Sequence, residues 1–161
     1  HGAAILCSRE DLGLHSSIVS DSAPLNGLVE RLLAASAGIH CMRDATRGGI
    51  GGVLAEIASQ TGWRMTIQES AIPVRDQVRG VCETLGFDPL FLANEGKLVL
   101  FCSAAEADAV LEVMRGHEYG AHAAVIGTVQ DLRDGRLVLK TRVGGERVVD
   151  LPAGELVPRI C

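Results

Sequence analysis

The 161-residue chain has few aromatic residues and little positive charge. Phe, Trp and Tyr make up 3% of it, so it lacks the aromatic platforms on which proteins stack unpaired bases. The formal net charge is −5 and there is no long run of Lys and Arg, which argues against binding to a nucleic-acid backbone. It contains no apolar run of about 18 residues and no visible signal peptide. We therefore expect neither nucleic acid nor a membrane as a partner.

The five cysteines lack the spacing of a metal site or of a disulfide framework. None forms a Cys-x-x-Cys pair, and their number is odd. Four lie in apolar or amphipathic contexts, where a free cysteine usually acts as a small buried hydrophobe: Cys7, Cys41, Cys82 and Cys102. Cys161 differs because it is the last residue. Reduced cysteines are typical of a cytoplasmic protein, and no residue is assigned to a metal.

Length and hydrophobic periodicity predict one domain over residues 1–151, followed by a flexible tail over 152–161. Strands are predicted at 3–8, about 39–43, 63–69, 97–102, 123–129, 136–142 and 146–151. Helices are predicted from Pro24 to about Ala35, from about Gly48 to Gln60, over 74–85, and from Ser103 to about Met114. Asp21 and Ser22 mark the start of the first of these helices. The helix at Ser103 begins with a capping box completed by Glu106. The predicted fold class is α+β, a mixed sheet flanked by helices.

Two tight turns support this class. Asp134-Gly135 and Gly144-Gly145 are typical turn dipeptides, and they predict two hairpins near the end of the domain. Hairpins join antiparallel strands, so they argue against a purely parallel, doubly wound sheet.

Residues 44–52 (DATRGGIGG) concentrate four glycines at the predicted start of a helix. A glycine inside a helix costs roughly 1 kcal/mol relative to alanine, so we expect a compensating role. One such role is the close approach of backbone amides to a phosphate at the helix N-terminus, with Arg47 adding a charged fork. The other is close packing of the helix on the sheet or on another domain. Composition alone leaves both interpretations open and slightly favours packing.

Residues 93–97 (ANEGK) place the carboxylate of Glu95 in a short loop next to a glycine. Such a carboxylate can act as a general base beside a substrate. A solvated turn ahead of a strand is the simpler interpretation. Lys97 is expected to extend into solvent at the edge of that strand.

The tail ends in Pro158-Arg159-Ile160-Cys161. Fully extended from Pro152, it reaches at most about 33–36 Å, so it can carry a thiol between sites. A thiolate is a good nucleophile, and the positive charge of Arg159 favours the ionised form. A chance cysteine at a frayed end is the alternative.

Together these motifs resemble the HypE family of hydrogenase maturation proteins. The motifs are His1-Gly2, DATRGG from Asp44, NEGK from Asn94 and the terminal PRIC, and they occur in the family's order. DATRGG alone indicates only the wider superfamily of aminoimidazole ribonucleotide synthetase (PurM), selenophosphate synthetase and thiamine-monophosphate kinase. PRIC is specific to HypE. The resemblance covers the whole chain as the family's C-terminal domain and implies a fold like that of the PurM C-terminal domain.

The resemblance implies an ATP-dependent carbamoyl dehydratase. In this family the carbamoyltransferase HypF places a carbamoyl group on the terminal cysteine, here Cys161. ATP then phosphorylates the thiocarboxamide oxygen, and loss of a proton and phosphate leaves a thiocyanate. Glu95 matches the carboxylate that takes the proton from the nitrogen. The residues assigned to cofactor binding are Asp44, Thr46, Arg47, Gly48 and Gly49.

Further partners follow from the same resemblance. The cyano group passes to iron on the HypC–HypD complex for the [NiFe]-hydrogenase centre. The family's N-terminal domain supplies most contacts to ATP and magnesium and the homodimer interface, and this chain lacks it. We therefore expect the chain alone to be inactive. Two alternatives remain: another superfamily kinase or synthetase, which has no need of Cys161, and a non-catalytic domain that presents a thiol tail to partners.

Overall fold

The computed structural model describes residues 1–9 and 16–151, so the predicted tail at 152–161, with Cys161, lies outside the described residues. The helices are α1 (Gly2–Ser8), α2 (Asn26–Ala35), α3 (Gly49–Thr61), α4 (Asp76–Leu85) and α5 (Ala107–Arg115). The strands are β1 (Ile39–Asp44), β2 (Arg64–Gln68), β3 (Leu98–Cys102), β4 (Gly127–Gln130), β5 (Leu137–Lys140) and β6 (Glu146–Val149). Short 3-10 turns lie at Glu69–Ala71, Pro89–Phe91, Ala104–Glu106 and Glu118–Gly120. In the described ranges, no helix is both long and apolar enough to cross a membrane.

The strands form two sheets rather than the one sheet predicted. The larger has the order β4-β2-β5-β6, in which β2 is parallel to β5 and antiparallel to β4, and β5 and β6 form a hairpin. The smaller is the antiparallel pair β1-β3. Parallel and antiparallel pairs coexist, as the predicted α+β class with mixed pairing requires.

The main core lies between α3 and one face of the larger sheet. Met65 and Ile67 of β2 sit directly beside Leu137 and Leu139 of β5, and all four side chains are buried. α3 supplies Val53, Leu54, Ile57 and Ala58, which are at most 9% exposed. Two satellite clusters complete the interior, one where α1 meets α4 and one where α2 and α5 pack beside the smaller sheet.

The strand predicted at residues 3–8 is wrong, because this segment is the helix α1. Its buried residues include Ala3 and Leu6, which are three positions apart and so share one helical face. That face packs on Cys82 of α4 and on Leu92. A short apolar run carries no period that separates a strand from a helix, and the packing decided the outcome.

The hairpin predicted at Asp134-Gly135 is also wrong. β4 and β5 lie on opposite sides of β2, so this turn joins strands that are not neighbours. Asp134 instead pairs with Arg64 of β2, and its Oδ1 accepts the Arg136 amide at 3.2 Å. The hairpin at Gly144-Gly145 is confirmed, with Gly144 in the left-handed region at φ 87°.

Two predicted helix starts are corrected. Ser103 makes no side-chain cap bond, and Glu106 instead contacts the Ser36 hydroxyl and accepts the Gly38 amide at 3.2 Å, which ties the start of α5 to the end of α2. α2 begins at Asn26 rather than at Pro24, so Asp21 is not its cap. The ends predicted for α3, at about Gln60, and for α4, at residue 85, are confirmed to within one residue, and each helix is followed by a glycine in the left-handed region, Gly62 or Gly86.

Candidate functional site

The pairing of β1 with β3 brings the two sequence motifs together. Asp44 at the end of β1 lies opposite Leu98 at the start of β3. The Ala45 amide donates to the Lys97 carbonyl at 3.1 Å, and the Asn94 amide donates to the Ala45 carbonyl at 3.2 Å. Residues 44–49 and 92–97 therefore form one structural unit, here called the loop junction.

Asn94 fastens the two halves of the loop junction with its side chain. Its Nδ2 donates to the Ala45 carbonyl at 3.3 Å and to the Leu92 carbonyl at 3.0 Å. Ala45 is fully buried, so its carbonyl depends on protein donors for hydrogen bonds. Asn94 thus fixes the backbone immediately before Glu95.

Glu95 is exposed, and its carboxylate makes no hydrogen bond or ion pair with residues 1–9 or 16–151. A carboxylate without a protein partner can accept a proton from a ligand. Its backbone, by contrast, is held, because the Glu95 amide donates to Asp21 Oδ1 at 3.2 Å.

Asp21 lies under this loop, with its side chain 10% exposed. Besides the Glu95 amide, its Oδ1 accepts the His1 nitrogen at 2.8 Å, and its Oδ2 pairs with Lys97 Nζ. Burial by itself would raise the pKa of Asp21, but the hydrogen bonds from Lys97, the His1 nitrogen and the Glu95 amide outweigh it and hold the pKa well below its usual range. Lys97 is 44% exposed, as expected at a strand edge, but its amine is tied to Asp21 instead of extending freely into solvent.

Glycines let three backbone segments meet at this point. A Cβ added to Gly96 would lie 1.8 Å from the Asp21 carbonyl oxygen. The Gly2 amide donates to the Ala93 carbonyl at 2.9 Å, and a Cβ there would lie 3.1 Å from the Ala93 nitrogen. The glycines of His1-Gly2 and of NEGK therefore have a physical reason, which is the close approach of residues 1–2 and 21 to the loop junction.

The glycines at the start of α3 serve mainly to pack this helix. A Cβ on Gly49 would lie 2.4 Å from the Leu90 carbonyl oxygen, and one on Gly51 would lie 3.0 Å from Phe91 Cε1. Gly48 is left-handed at φ 70°, and its Cβ would meet nothing closer than Gly52 Cα at 3.4 Å. Of the two interpretations left open by the sequence, packing accounts for Gly49 and Gly51, and conformation accounts for Gly48.

Polar groups of residues 44–49, at the start of α3, can face a phosphate. Thr46 Oγ1 donates to Asp44 Oδ2 at 2.7 Å, and Asp44 and Arg47 are exposed. The first bond inside α3 runs from the Gly52 amide to the Gly48 carbonyl at 2.9 Å, so the three amides before it have no partner within the helix. An exposed guanidinium beside such amides is suited to phosphate oxygens, which is the group that ATP would present. Residues 1–9 and 16–151 contain no group of three or more His, Cys, Asp or Glu side chains arranged to hold a metal.

Sequence similarity shows which family this chain belongs to. Residues 1–140 match the family described as AIR synthase related protein, C-terminal domain. The chain belongs to this family. Within the AIR synthase related proteins it is similar to carbamoyl dehydratase HypE of Azotobacter vinelandii, with 51% identity over 161 residues that make up 100% of this chain and 47% of that protein.

Two solved structures agree with the fold. One is the crystal structure of the hydrogenase maturation protein HypE in complex with ATP, with a TM-score of 0.92 and 43% identity over 100% of this chain and 49% of that one. The other is the crystal structure of a HypE–HypF complex, with a TM-score of 0.87 and 42% identity over 94% of this chain and 49% of that one. The chain spans about half the length of these proteins. The predicted fold and the predicted resemblance to HypE are both confirmed.

Of the four cysteines that the structure describes in this AIR synthase related domain, Cys82 is buried as predicted and Cys102 packs against the α2–α5 cluster, whereas Cys7 and Cys41 are only partly buried. Cys7, Cys41, Cys82 and Cys102 are all free. Burial raises the pKa of the Cys82 and Cys102 thiols, and nearby carboxylates raise it further. The raised pKa disfavours the nucleophilic thiolate. Cys161, the predicted reactive thiol, lies outside the described residues.

Two contributions to this site were not predicted from the sequence, namely Asp21 and the side chain of Asn94. Asp21 resembled a helix start because it stands just before Pro24 and an amphipathic segment. Its partners Glu95 and Lys97 are 74 and 76 positions away, so no local pattern could reveal them. Asn94 stood inside a recognised motif, but its acceptors became visible only once β1 was paired with β3.

Proposed function

We propose that this chain is the C-terminal part of an ATP-dependent carbamoyl dehydratase that converts a thiocarboxamide on Cys161 into a thiocyanate. The observation that carries the proposal is the loop junction, which holds the exposed carboxylate of Glu95 beside the DATRGG loop. The similarity to HypE extends over all 161 residues, so the aligned region includes the position of Cys161.

The chemistry needs a base on a fixed backbone. The thiocarboxamide has one oxygen to lose and two protons on its nitrogen. Transfer of the terminal phosphoryl group of ATP to that oxygen releases ADP and turns the oxygen into a good leaving group. The nitrogen gives up both protons, one to Glu95 and the other to the departing phosphate, as the C–O bond breaks and the C≡N bond forms. Thiocarboxamide and ATP thus yield thiocyanate, ADP, phosphate and one proton.

Asp44, Thr46, Arg47, Gly48 and Gly49 are assigned to the phosphate end of ATP. Arg47 and the first amides of α3 donate to phosphate oxygens, while Gly48 and Gly49 allow the tight turn that presents them. We assign the remaining contacts to ATP, and those to magnesium, to the half of the relatives' length that this chain does not span. A HypE protein solved with ATP supports ATP as the nucleotide. On this assignment the chain by itself does not turn over ATP.

The partners follow from the same chemistry. HypF supplies the carbamoyl group, and a HypE–HypF complex among the similar structures supports this pairing. The thiocyanate is the source of the cyanide ligands of [NiFe]-hydrogenase, with HypC–HypD as the acceptor, and the full-length enzyme is a homodimer. The free cysteines at four positions suit the reducing cytoplasm, where this maturation would take place.

An intact-mass measurement tests the proposal. The full-length enzyme is incubated with HypF, carbamoyl phosphate and ATP, and its mass is followed over time. We expect a carbamoyl adduct that then loses one water. Cys161→Ala should form no adduct, whereas the matched variant Cys41→Ala should behave like the wild type. An adduct that persists with its water would favour a domain that only presents a thiol, and no adduct at all would favour another ATP-using enzyme of the superfamily.

A further inference from the structure

The carboxylate of Asp21 binds the backbone of Glu95 and the side chain of Lys97, two residues later. One oxygen accepts the Glu95 amide at 3.2 Å and the other pairs with Lys97 Nζ. The side chain is 10% exposed, so it gives up most of its hydration and needs these donors in return. A buried carboxylate that binds the Glu95 amide and the side chain of Lys97 restrains the backbone from which the exposed Glu95 side chain projects.

The two ends of the Glu95 loop are held independently. Asn94 binds the Ala45 and Leu92 carbonyls ahead of Glu95, and Asp21 binds at and after it. The backbone of Asp21 also fills the space where a side chain on Gly96 would lie. The Glu95 carboxylate has no partner of its own among residues 1–9 and 16–151, so its position depends on these backbone restraints.

We infer that Asp21 is a positioning residue for Glu95. It does not touch the substrate, and it acts by holding the 95–97 backbone so that the base meets the thiocarboxamide nitrogen. The inference rests on the proposed function, because it assumes that Glu95 is that base. A misplacement of about 1 Å can cost roughly a hundredfold in rate, so a restraint on the backbone of a base has a measurable effect.

The test is a double-mutant cycle in the full-length enzyme. The first-order rate of water loss from the carbamoylated protein is measured by intact mass for wild type, Asp21→Asn, Glu95→Gln and the double variant. Asp21→Asn keeps the shape of the side chain but removes the charge that pairs with Lys97. We expect it to be about tenfold to a hundredfold slower than wild type. In the Glu95→Gln background it should cause no further loss, because the base it positions is already gone.

Asp134→Asn is the matched control. Asp134 also pairs with a cation, Arg64, and also accepts a backbone amide, that of Arg136 at 3.2 Å, but it lies at the turn between β4 and β5. We expect it to dehydrate at the wild-type rate. A second readout is amide hydrogen exchange, in which Asp21→Ala should speed exchange at Glu95 while Asp134→Ala speeds it at Arg136.

Each outcome decides the inference. Wild-type dehydration by Asp21→Asn, with Glu95→Gln stalled, overturns it and leaves the proposed function intact. Losses that multiply in the double variant also overturn it, because Asp21 then acts elsewhere. Wild-type dehydration by Glu95→Gln removes the base itself and the inference with it. Should Asp21→Asn fail to fold, Lys97→Gln breaks the same ion pair from a side chain that is 44% exposed. The decrease in dehydration rate that Lys97→Gln causes must likewise be absent in the Glu95→Gln background.

Discussion

The loop junction and the turn of the β5–β6 hairpin both depend on glycine in the left-handed region, but for different reasons. In the loop junction Gly49 has φ 62°, and an added Cβ would lie 2.4 Å from the Leu90 carbonyl oxygen. In the hairpin turn Gly144 has φ 87°, and an added Cβ would meet nothing within 4 Å. The loop junction therefore requires both the conformation and the missing side chain, while the turn requires the conformation alone.

The two regions also differ in how far their contacts reach. The turn is closed within five consecutive residues, since the Thr141 hydroxyl donates to the Gly145 carbonyl at 3.0 Å and accepts its amide at 2.9 Å. The loop junction joins two segments that are distant in the sequence, 44–49 and 92–97, and it contacts two more, at 1–2 and 21. A change in the turn should stay local, whereas a change in the loop junction should affect stability and catalysis together.

The largest effect is expected for Gly49→Ala. The new methyl group must displace the backbone at Leu90 and Leu92 and must also adopt a positive φ, so we expect a loss of about 2–5 kcal/mol in the free energy of unfolding. Urea unfolding of the chain measures it. Gly80→Ala in the middle of α4 is the control, because its Cβ meets nothing within 4 Å and alanine should stabilise that helix by about 0.5–1 kcal/mol. A loss in the free energy of unfolding smaller than that of Gly144→Ala, where only the positive φ is unfavourable, would show that the loop junction is not closely packed.

Loss of the Asp21 charge should have the next largest effect, and it should depend on pH. The folded pKa of Asp21 is depressed, so its carboxylate contributes stability above the unfolded pKa of about 3.9, and this contribution is lost as the pH falls toward the folded pKa. We expect Asp21→Asn to cost about 1.5–3 kcal/mol at neutral pH, the usual range for hydrogen bonds to a charged group. This cost should shrink steadily below about pH 4. Unfolding curves at several pH values measure it, and a difference that stays constant down to pH 2 would contradict the role of the charge.

The smallest effect is expected for Gly144→Ala. The alanine has open space but an unfavourable φ, so we expect a loss of about 1–2 kcal/mol in stability. The same variant in the full-length enzyme should convert the carbamoyl adduct at the wild-type rate. A slowed conversion would show that the hairpin turn is coupled to the site and would remove the contrast between the two regions.

The same contrast explains what the sequence could predict. Periodicity located the helices α2 to α5 and the strands β1 to β6, and turn chemistry located the β5–β6 hairpin, because those signals are local. The same signals also predicted a strand where α1 lies and a hairpin at Asp134-Gly135, and both were wrong. The insertion of β2 between β4 and β5 and the separation into two sheets depend on long-range pairing, so both escaped prediction. At the site, the motifs marked Glu95 and the DATRGG loop as separate candidates, but the strand pairing that brings them together and the close approach of Asp21 to Gly96 could be seen only in the folded chain.

The central claim is that the exposed carboxylate of Glu95 is the base of the dehydration step. The most direct test is the intact mass of full-length Glu95→Gln after reaction with HypF, carbamoyl phosphate and ATP. Glutamine keeps the size of the side chain but cannot accept the proton. We predict that the variant takes up the carbamoyl group on Cys161 and then loses water about a hundredfold to ten-thousandfold more slowly than wild type. Thiocyanate formed at the wild-type rate would contradict the claim and reduce Glu95 to a residue of the turn.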